Sequence, residues 1–258
     1  MSGLKGYNAV ITGGGRGIGA ASAIALARAG AKVSVASRNE AQVVEIAAEL
    51  RKDGYEAFAF RCDVTDQRQV RELALSASEA MGRVDILVNN AGTATSNPLP
   101  RVTLAEWEHI MGVNATGTFL CTQAVYDGMA ERRWGRVVNV ASIAGLEGDK
   151  YISAYTAAKH AVVGFTKALA AETRGKGITV NAVCPGYVDT PLTDETISRI
   201  MHHTGQSWQE ALTAVLKQAG QPRLIRAHEV ADVVVDLCLE ESSGRTGELV
   251  VLDGSESL

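Results

Sequence analysis

The sequence predicts an α/β fold: a doubly wound, parallel seven-stranded sheet with helices on both faces. Three observations point to it. Seven short apolar runs recur along the 258 residues, and helix-length segments alternate with them. The runs are apolar nearly throughout, as strands covered on both faces are. Glycine and proline fall between the elements, and no short repeat or low-complexity segment interrupts the pattern.

Taken in order, residues 7–12 read as a strand and 17–29 as an Ala-rich helix. Residues 31–36 form a strand and 40–52 an amphipathic helix. A strand at 57–61 precedes a helix at 67–81. A very apolar strand follows at 84–89. Two helices are expected at 103–113 and 115–131, then a strand at 135–141. A long helix at 154–174 leads to a strand at 177–183. The polar stretch from 188 to about 221, helical in parts, reads as a substrate lid. A helix at 228–239 and a strand at 248–252 complete the chain. Residues 1–258 are read as one domain, with its ligand at the carboxyl ends of the strands.

Hydrophobic residues make up 46% and charged residues 21%, which leaves the chain among ordinary globular proteins. A net charge of −4 gives no electrostatic footprint for nucleic acid or an anionic membrane, so neither is an expected partner. The one dense basic stretch, Arg132, Arg133 and Arg136 around Trp134, reads as a solvated turn. The four cysteines are widely spaced and fit no zinc pattern. They are read as reduced, small hydrophobes, and no metal is expected. Met1–Gly6 lacks the apolar core of a leader, and no run has the length of a membrane span. The expected location is the cytoplasm.

Two local patterns carry chemistry. The first strand runs into Thr12-Gly13-Gly14-Gly15-Arg16-Gly17-Ile18-Gly19, and a helix starts at once. Such glycines let phosphate oxygens approach the backbone, and the helix N-terminus offers free N–H groups. Further on, Tyr155 and Lys159 stand four residues apart on one helix face, about 6 Å along the axis. A free phenol, with a pKa near ~10, is a sluggish base at neutral pH. A neighbouring ammonium favours the phenolate and is expected to lower that pKa, tuning the group for proton transfer. Ser142, after the fifth strand, can donate to a substrate oxygen.

These motifs, with Asn89-Asn90-Ala91-Gly92, Asn114 and Pro185-Gly186, occur in an order and spacing that resembles the short-chain dehydrogenase/reductase family over nearly the whole chain. The resemblance implies the Rossmann fold and hydride transfer between a nicotinamide cofactor and a ketone or secondary alcohol. It implies Asn114, Ser142, Tyr155 and Lys159 as the catalytic set. In this reading Asn114 bends a helix and orders a water chain to Lys159, and Lys159 also holds the nicotinamide ribose.

By the same resemblance the cofactor lies along Gly13, Gly15, Arg16, Gly17, Ile18 and Gly19. Asp63 and Val64 meet the adenine, and Asn90, Ala91 and Gly92 the ribose. Pro185 and Gly186 face the nicotinamide, with Val188 and Thr190 on its carboxamide. An NAD-preferring dinucleotide fold places an acid at the end of strand two. Ser37 stands there instead, followed by Arg38, and guanidinium groups suit a 2′-phosphate. NADP(H) is therefore expected over NAD(H).

The substrate side is less legible. Glu147, Tyr151, Tyr187, Met201 and Trp208 are candidate wall residues. The long 193–220 stretch resembles that of ketoreductases acting on acyl thioesters, so a 3-oxoacyl-thioester reductase is the alternative reading. Arg132, Arg133 and Arg174 are then candidates for attracting a carrier protein. A cofactor-binding regulator without turnover is the alternative of another class, although a binder has no need of a proton donor. The ending Asp253-Gly254-Ser255 departs from the Asp-Gly-Gly of many members. A homotetramer is expected by resemblance, with helices 115–131 and 154–174 at one interface.

Overall fold

A computed structural model describes residues 3–255. Met1 and Ser2, on which the leader reading partly rests, lie outside the described residues.

Seven parallel strands form the main sheet. They are β1 (Asn8–Thr12), β2 (Lys32–Ser37), β3 (Ala57–Arg61), β4 (Ile86–Asn89), β5 (Gly135–Val140), β6 (Ile178–Pro185) and, last in the chain, β9 (Leu249–Leu252). Their order is β3-β2-β1-β4-β5-β6-β9. The continuous apolar runs now have a cause: alternate residues enter two separate cores. Ala9 and Ile11 of β1 and Ile86 and Val88 of β4 face one core, with α1 (Gly17–Arg28), α2 (Glu40–Lys52) and α9 (Ala227–Cys238). Val10 and Leu87 face the other, with α3 (Gln67–Met81), α5 (Gly117–Arg132) and α6 (Ser153–Glu172).

The chain winds outward in both directions from β1 and β4, so a crevice opens between their carboxyl ends. Thr12 bridges it: its hydroxyl accepts from the backbone N–H groups of Asn90 and Ala91, both at 3.1 Å. Deeper in, a buried polar chain fixes the central strands. Asn89 Nδ2 donates to Asn139 Oδ1 and to Thr122 Oγ1, and Asn139 Nδ2 donates to Thr166 Oγ1, each at 2.9 Å. These bonds tie β4 to β5 and both strands to the helices beneath them.

Four expectations need correction. The helices expected at 103–113 and 115–131 are α4 (Leu104–Met111) and α5, joined without a break by a π-helical turn at Gly112–Thr116. β4 starts at Ile86, because the buried Asp85 carboxylate accepts from the Asn8 N–H and side chain and from Arg83 Nε. The basic stretch is not simply a solvated turn. Arg136 is 1% exposed, stacks 4.3 Å from the Trp134 ring centre and pairs with Glu240 at 3.2 Å. Finally, the polar stretch contains a second, two-stranded parallel sheet of β7 (Val188–Asp189) and β8 (Ile225–Arg226).

Between those two strands, α7 (Pro191–Thr204) and α8 (Trp208–Gln218) form a cap with its own small core of Ile197, Ala211, Leu212 and Val215. Ser207 and Glu210 close a reciprocal capping box at the start of α8. The four cysteines are buried and unpaired. Among the described residues no helix is long and apolar enough to cross a membrane.

Candidate active site

Ser142, Tyr155, Lys159 and Asn114 meet at the carboxyl ends of β4 and β5. Ser142 lies just past β5 and caps a short 3₁₀ turn: its Oγ accepts from Ala144 N at 3.1 Å. Its Oγ donates to the Pro185 carbonyl at 3.4 Å, and it lines the same cleft as the Tyr155 phenol. α6 carries Tyr155 in its first turn and Lys159 one turn later. The Lys159 ammonium donates to the Val140 carbonyl at 2.8 Å and sits 5.6 Å from the Tyr155 ring centre.

Asn114 occupies the π-helical turn, where one extra residue leaves carbonyls out of the regular ladder. Its Nδ2 donates to the carbonyls of Ile110 and Thr93, both at 2.9 Å. Its Oδ1 is buried with no hydrogen-bond partner. A Cβ added to Gly92 would stand 2.9 Å from that oxygen and 3.7 Å from Lys159 Nζ. Only glycine leaves the space between them open.

Burial governs the titration of the pair. It pushes the Tyr155 phenol up to about 12, against a smaller lowering by the neighbouring Ser142 hydroxyl. It pulls the Lys159 ammonium down to about 8. The expectation that the ammonium lowers the phenol is therefore corrected for the protein alone. Desolvation disfavours both charged forms and is the largest cause of each shift.

Two clefts and a cavity converge here. The first cleft holds the four residues above together with Ile18, Asn90 and Gly92. Pro185, Gly186, Val188 and Thr190 close its far wall. The Thr190 and Thr193 hydroxyls both donate to the Val188 carbonyl, at 3.3 and 2.6 Å. The second cleft, about 330 Å³, runs past Gly13, Gly15 and Arg16 to Ser37 and Arg38. Asp63, Val64 and Ala91 form its other side. Gly13 has φ +64° and no room for a Cβ beside Asn90, so only glycine turns the chain there. Gly17 faces Thr190, and Gly19 packs on the Gly13 carbonyl. Arg16 pairs with Glu195 of α7 at 3.1 Å.

With this geometry in view, the comparisons agree. Residues 7–200 match the family model described as short chain dehydrogenase. The chain belongs to the short-chain dehydrogenase family. It is 38% identical to the uncharacterized oxidoreductase YxjF of Bacillus subtilis, over 95% of this chain and 96% of that one. It is 34% identical to the 3-oxoacyl-[acyl-carrier-protein] reductase FabG of Aquifex aeolicus, over 97% of each. Among solved structures, a variant of the actinorhodin polyketide ketoreductase with NADPH superposes with a TM-score of 0.92 at 36% identity, over 96% of each chain. Levodione reductase gives 0.92 at 32% identity, over 97% of each.

In this short-chain dehydrogenase the cavity beyond Tyr155, about 280 Å³, lies between the cap and the loops after β4 and β5. Of the candidate wall residues, Glu147 and Tyr187 line it. Met201 packs into the cap core instead. Tyr151 and Trp208 are exposed and border no part of it. Arg133 and Arg174 line a groove beside Ile178 and Thr179, where β6 begins. That is the opposite end of the sheet from Ser142. Arg132 donates to the Val84 carbonyl, also at the amino ends of the strands. These arginines are therefore misplaced for delivering a carrier-bound substrate.

Sequence reasoning missed two residues. Arg199 of α7 lines the cavity. Gln221, 5% exposed, clamps the two stems of the cap together. Its Oε1 accepts from Tyr187 N at 2.8 Å, and its Nε2 donates to the Tyr187 and Arg223 carbonyls at 2.7 and 2.5 Å. The only signal in the sequence was its place at the lid's end. Replacing it by leucine leaves three half-buried backbone groups without this partner. Gln221→Leu should lower the unfolding free energy by about 2 kcal/mol in urea denaturation and speed proteolytic cleavage within 188–221. Unchanged values in both would contradict the clamp.

Proposed function

We propose that this chain is an NADP(H)-dependent oxidoreductase acting on a small ketone or secondary alcohol. One observation carries the reading. Tyr155, beside Ser142 and backed by Lys159, stands where the glycine-lined clefts meet the cavity.

The residues present fit a nicotinamide dinucleotide. The glycine loop and the N-terminus of α1 suit its phosphates, Asp63 and Val64 its adenine, and Asn90, Ala91 and Gly92 a ribose. Pro185, Gly186, Val188 and Thr190 would flank the nicotinamide. The cofactor, when bound, supplies or takes up the hydride.

The chain's own groups handle the proton. At neutral pH the Tyr155 phenol is protonated and the Lys159 amine is mostly an ammonium. For carbonyl reduction, Ser142 orients the substrate oxygen and the phenol hands it a proton. Lys159 steadies the negative charge left on Tyr155, and the orphaned Asn114 oxygen can hold the water that resupplies Lys159. The reverse direction uses the same groups, with the alcohol proton passing to the phenolate.

The second cleft supports NADP(H). No carboxylate ends β2: Ser37 is there, its hydroxyl bonded to the Asn39 carbonyl, and Arg38 stands exposed beside it. Arg16 lines the same cleft and can join Arg38 in holding a 2′-phosphate once released from Glu195. Self-association is supported by Phe119 of α5, 44% exposed and set edge-on to Phe165 of α6. A homotetramer built on this face agrees with that exposure. A thioester substrate is the second reading, supported by relatives named for that activity. Turnover of acyl thioesters against simple ketones separates the two.

Tyr155→Phe should lower kcat/KM by about 10²–10⁴-fold while NADPH affinity stays within about twofold. Loss of both together would mean that Tyr155 is structural. Ser37→Asp should lower kcat/KM with NADPH at least about tenfold and favour NADH, because a carboxylate repels the 2′-phosphate. Equal values with both cofactors in the unaltered protein would sink the preference.

A further inference from the structure

The cavity beyond Tyr155 contains a cation that no carboxylate among the described residues touches. Arg199 reaches its wall from α7 and is half-buried. Two backbone carbonyls hold the guanidinium in place: Nε donates to Glu195 O at 3.0 Å and Nη1 to Ala94 O at 3.1 Å. Guanidinium has five N–H donors, so several stay available. Among the described residues, no carboxylate lies within 4.0 Å of it.

The nearby acids stand off from the guanidinium or on the rim. Glu106 keeps its charge and acts on Arg199 from a distance without a direct pair, its carboxylate accepting from Thr95 at 2.5 Å and twice from Asn97 at 3.0 Å. Asp149 accepts from Gln218 Nε2 and Lys150 N on the exposed rim. Glu147 is exposed on the same rim, where solvent screens it. The remaining wall mixes apolar Ile143, Ile152 and Leu192 with the neutral polar side chains of Ser96, Thr196 and Gln218.

A partly desolvated guanidinium is costly unless an anion meets it, and arginine cannot escape by losing its proton. Backbone bonds that fix its fork also lower the entropy cost of gripping a planar anion. Resting on the oxidoreductase reading, we propose that the substrate carries an anionic group beyond its carbonyl, and that Arg199 binds it. Arg199 borders neither cofactor cleft, so the anion is the substrate's own. Tyr155 and Ser142 then hold one end of the substrate and Arg199 the other, which fixes the face of the carbonyl presented for reaction. The anion is a carboxylate on a small oxo acid or a phosphate on a larger thioester.

The test uses the unaltered protein, Arg199→Gln and Arg199→Lys. Straight-chain oxo-carboxylates of increasing length are assayed beside their methyl esters, and acetoacetyl-coenzyme A beside unphosphorylated acetoacetyl-pantetheine. Calorimetry measures binding of the same carboxylates and esters to NADPH-loaded protein. At least one anionic member should be favoured over its neutral counterpart. Arg199→Gln should raise KM and Kd for that anion by about 10- to 100-fold and leave the neutral partner within about twofold. Arg199→Lys should restore part of the loss. Preference within the carboxylate arm identifies an oxo acid, and within the thioester arm a phosphate. No anion preference in either arm, or equal losses for charged and neutral compounds, overturns the proposal. Arginine-dependent anion binding without turnover of any compound would support the site and defeat the oxidoreductase reading instead.

Discussion

The hydrogen bond from Lys159 to the Val140 carbonyl, 2.8 Å long, fixes the relation between helix and sheet on which the site depends. It joins α6 to the end of β5, and so places Tyr155 beside Ser142. Lys159 is 5% exposed, and an ammonium that far from water needs such an acceptor. Even with it, desolvation holds the group near a pKa of about 8. A lysine on a surface helix with the same four-residue spacing from a tyrosine would do none of this. The chemistry comes from the spacing together with the burial.

The burial in turn follows from the winding of the sheet. Because the order reverses between β1 and β4, the loops after those strands diverge and leave a crevice. Thr12 and the Asn89–Asn139 pair keep its walls in register. The π-helical turn then brings the Asn114 side chain to the crevice floor, with Gly92 leaving the gap toward Lys159 clear. The cap closes the remaining side. Its stems are held by the β7–β8 pairing and by Gln221, while Arg16–Glu195 and Arg199–Ala94 fasten its outer helix to the loops it covers.

Much of this was legible in the sequence. Short apolar runs mark all seven main-sheet strands, and α2, β3 and α3 fall on the expected bounds. The residues of the proposed catalytic set were visible because their motifs are local: Tyr155 and Lys159 share one helix, and Ser142 follows one strand. The less legible features depend on contacts distant in sequence. Gln221 acts on Tyr187, 34 residues away, and Arg199 bonds to Ala94 across 105. Arg136 reads as a surface charge until the fold lays Trp134 and Glu240 against it. The sequence divides α4 from α5 at Asn114, because it does not show that the Asn114 amide re-ties the carbonyls a π-helical turn frees. The phenol's titration departs from expectation for a related reason. Spacing shows the ammonium, but desolvation is a property of the packed structure.

The central claim is that burial, not the surface proximity of two side chains, sets the charge of the Lys159–Tyr155 pair. Titration of Lys159 by NMR in the ligand-free protein, with lysine side chains isotopically labelled and Lys159→Met used for assignment, tests it most directly. A midpoint near about 8 is the result expected from the buried site. A midpoint at the ordinary lysine value, near ~10.4, would contradict it.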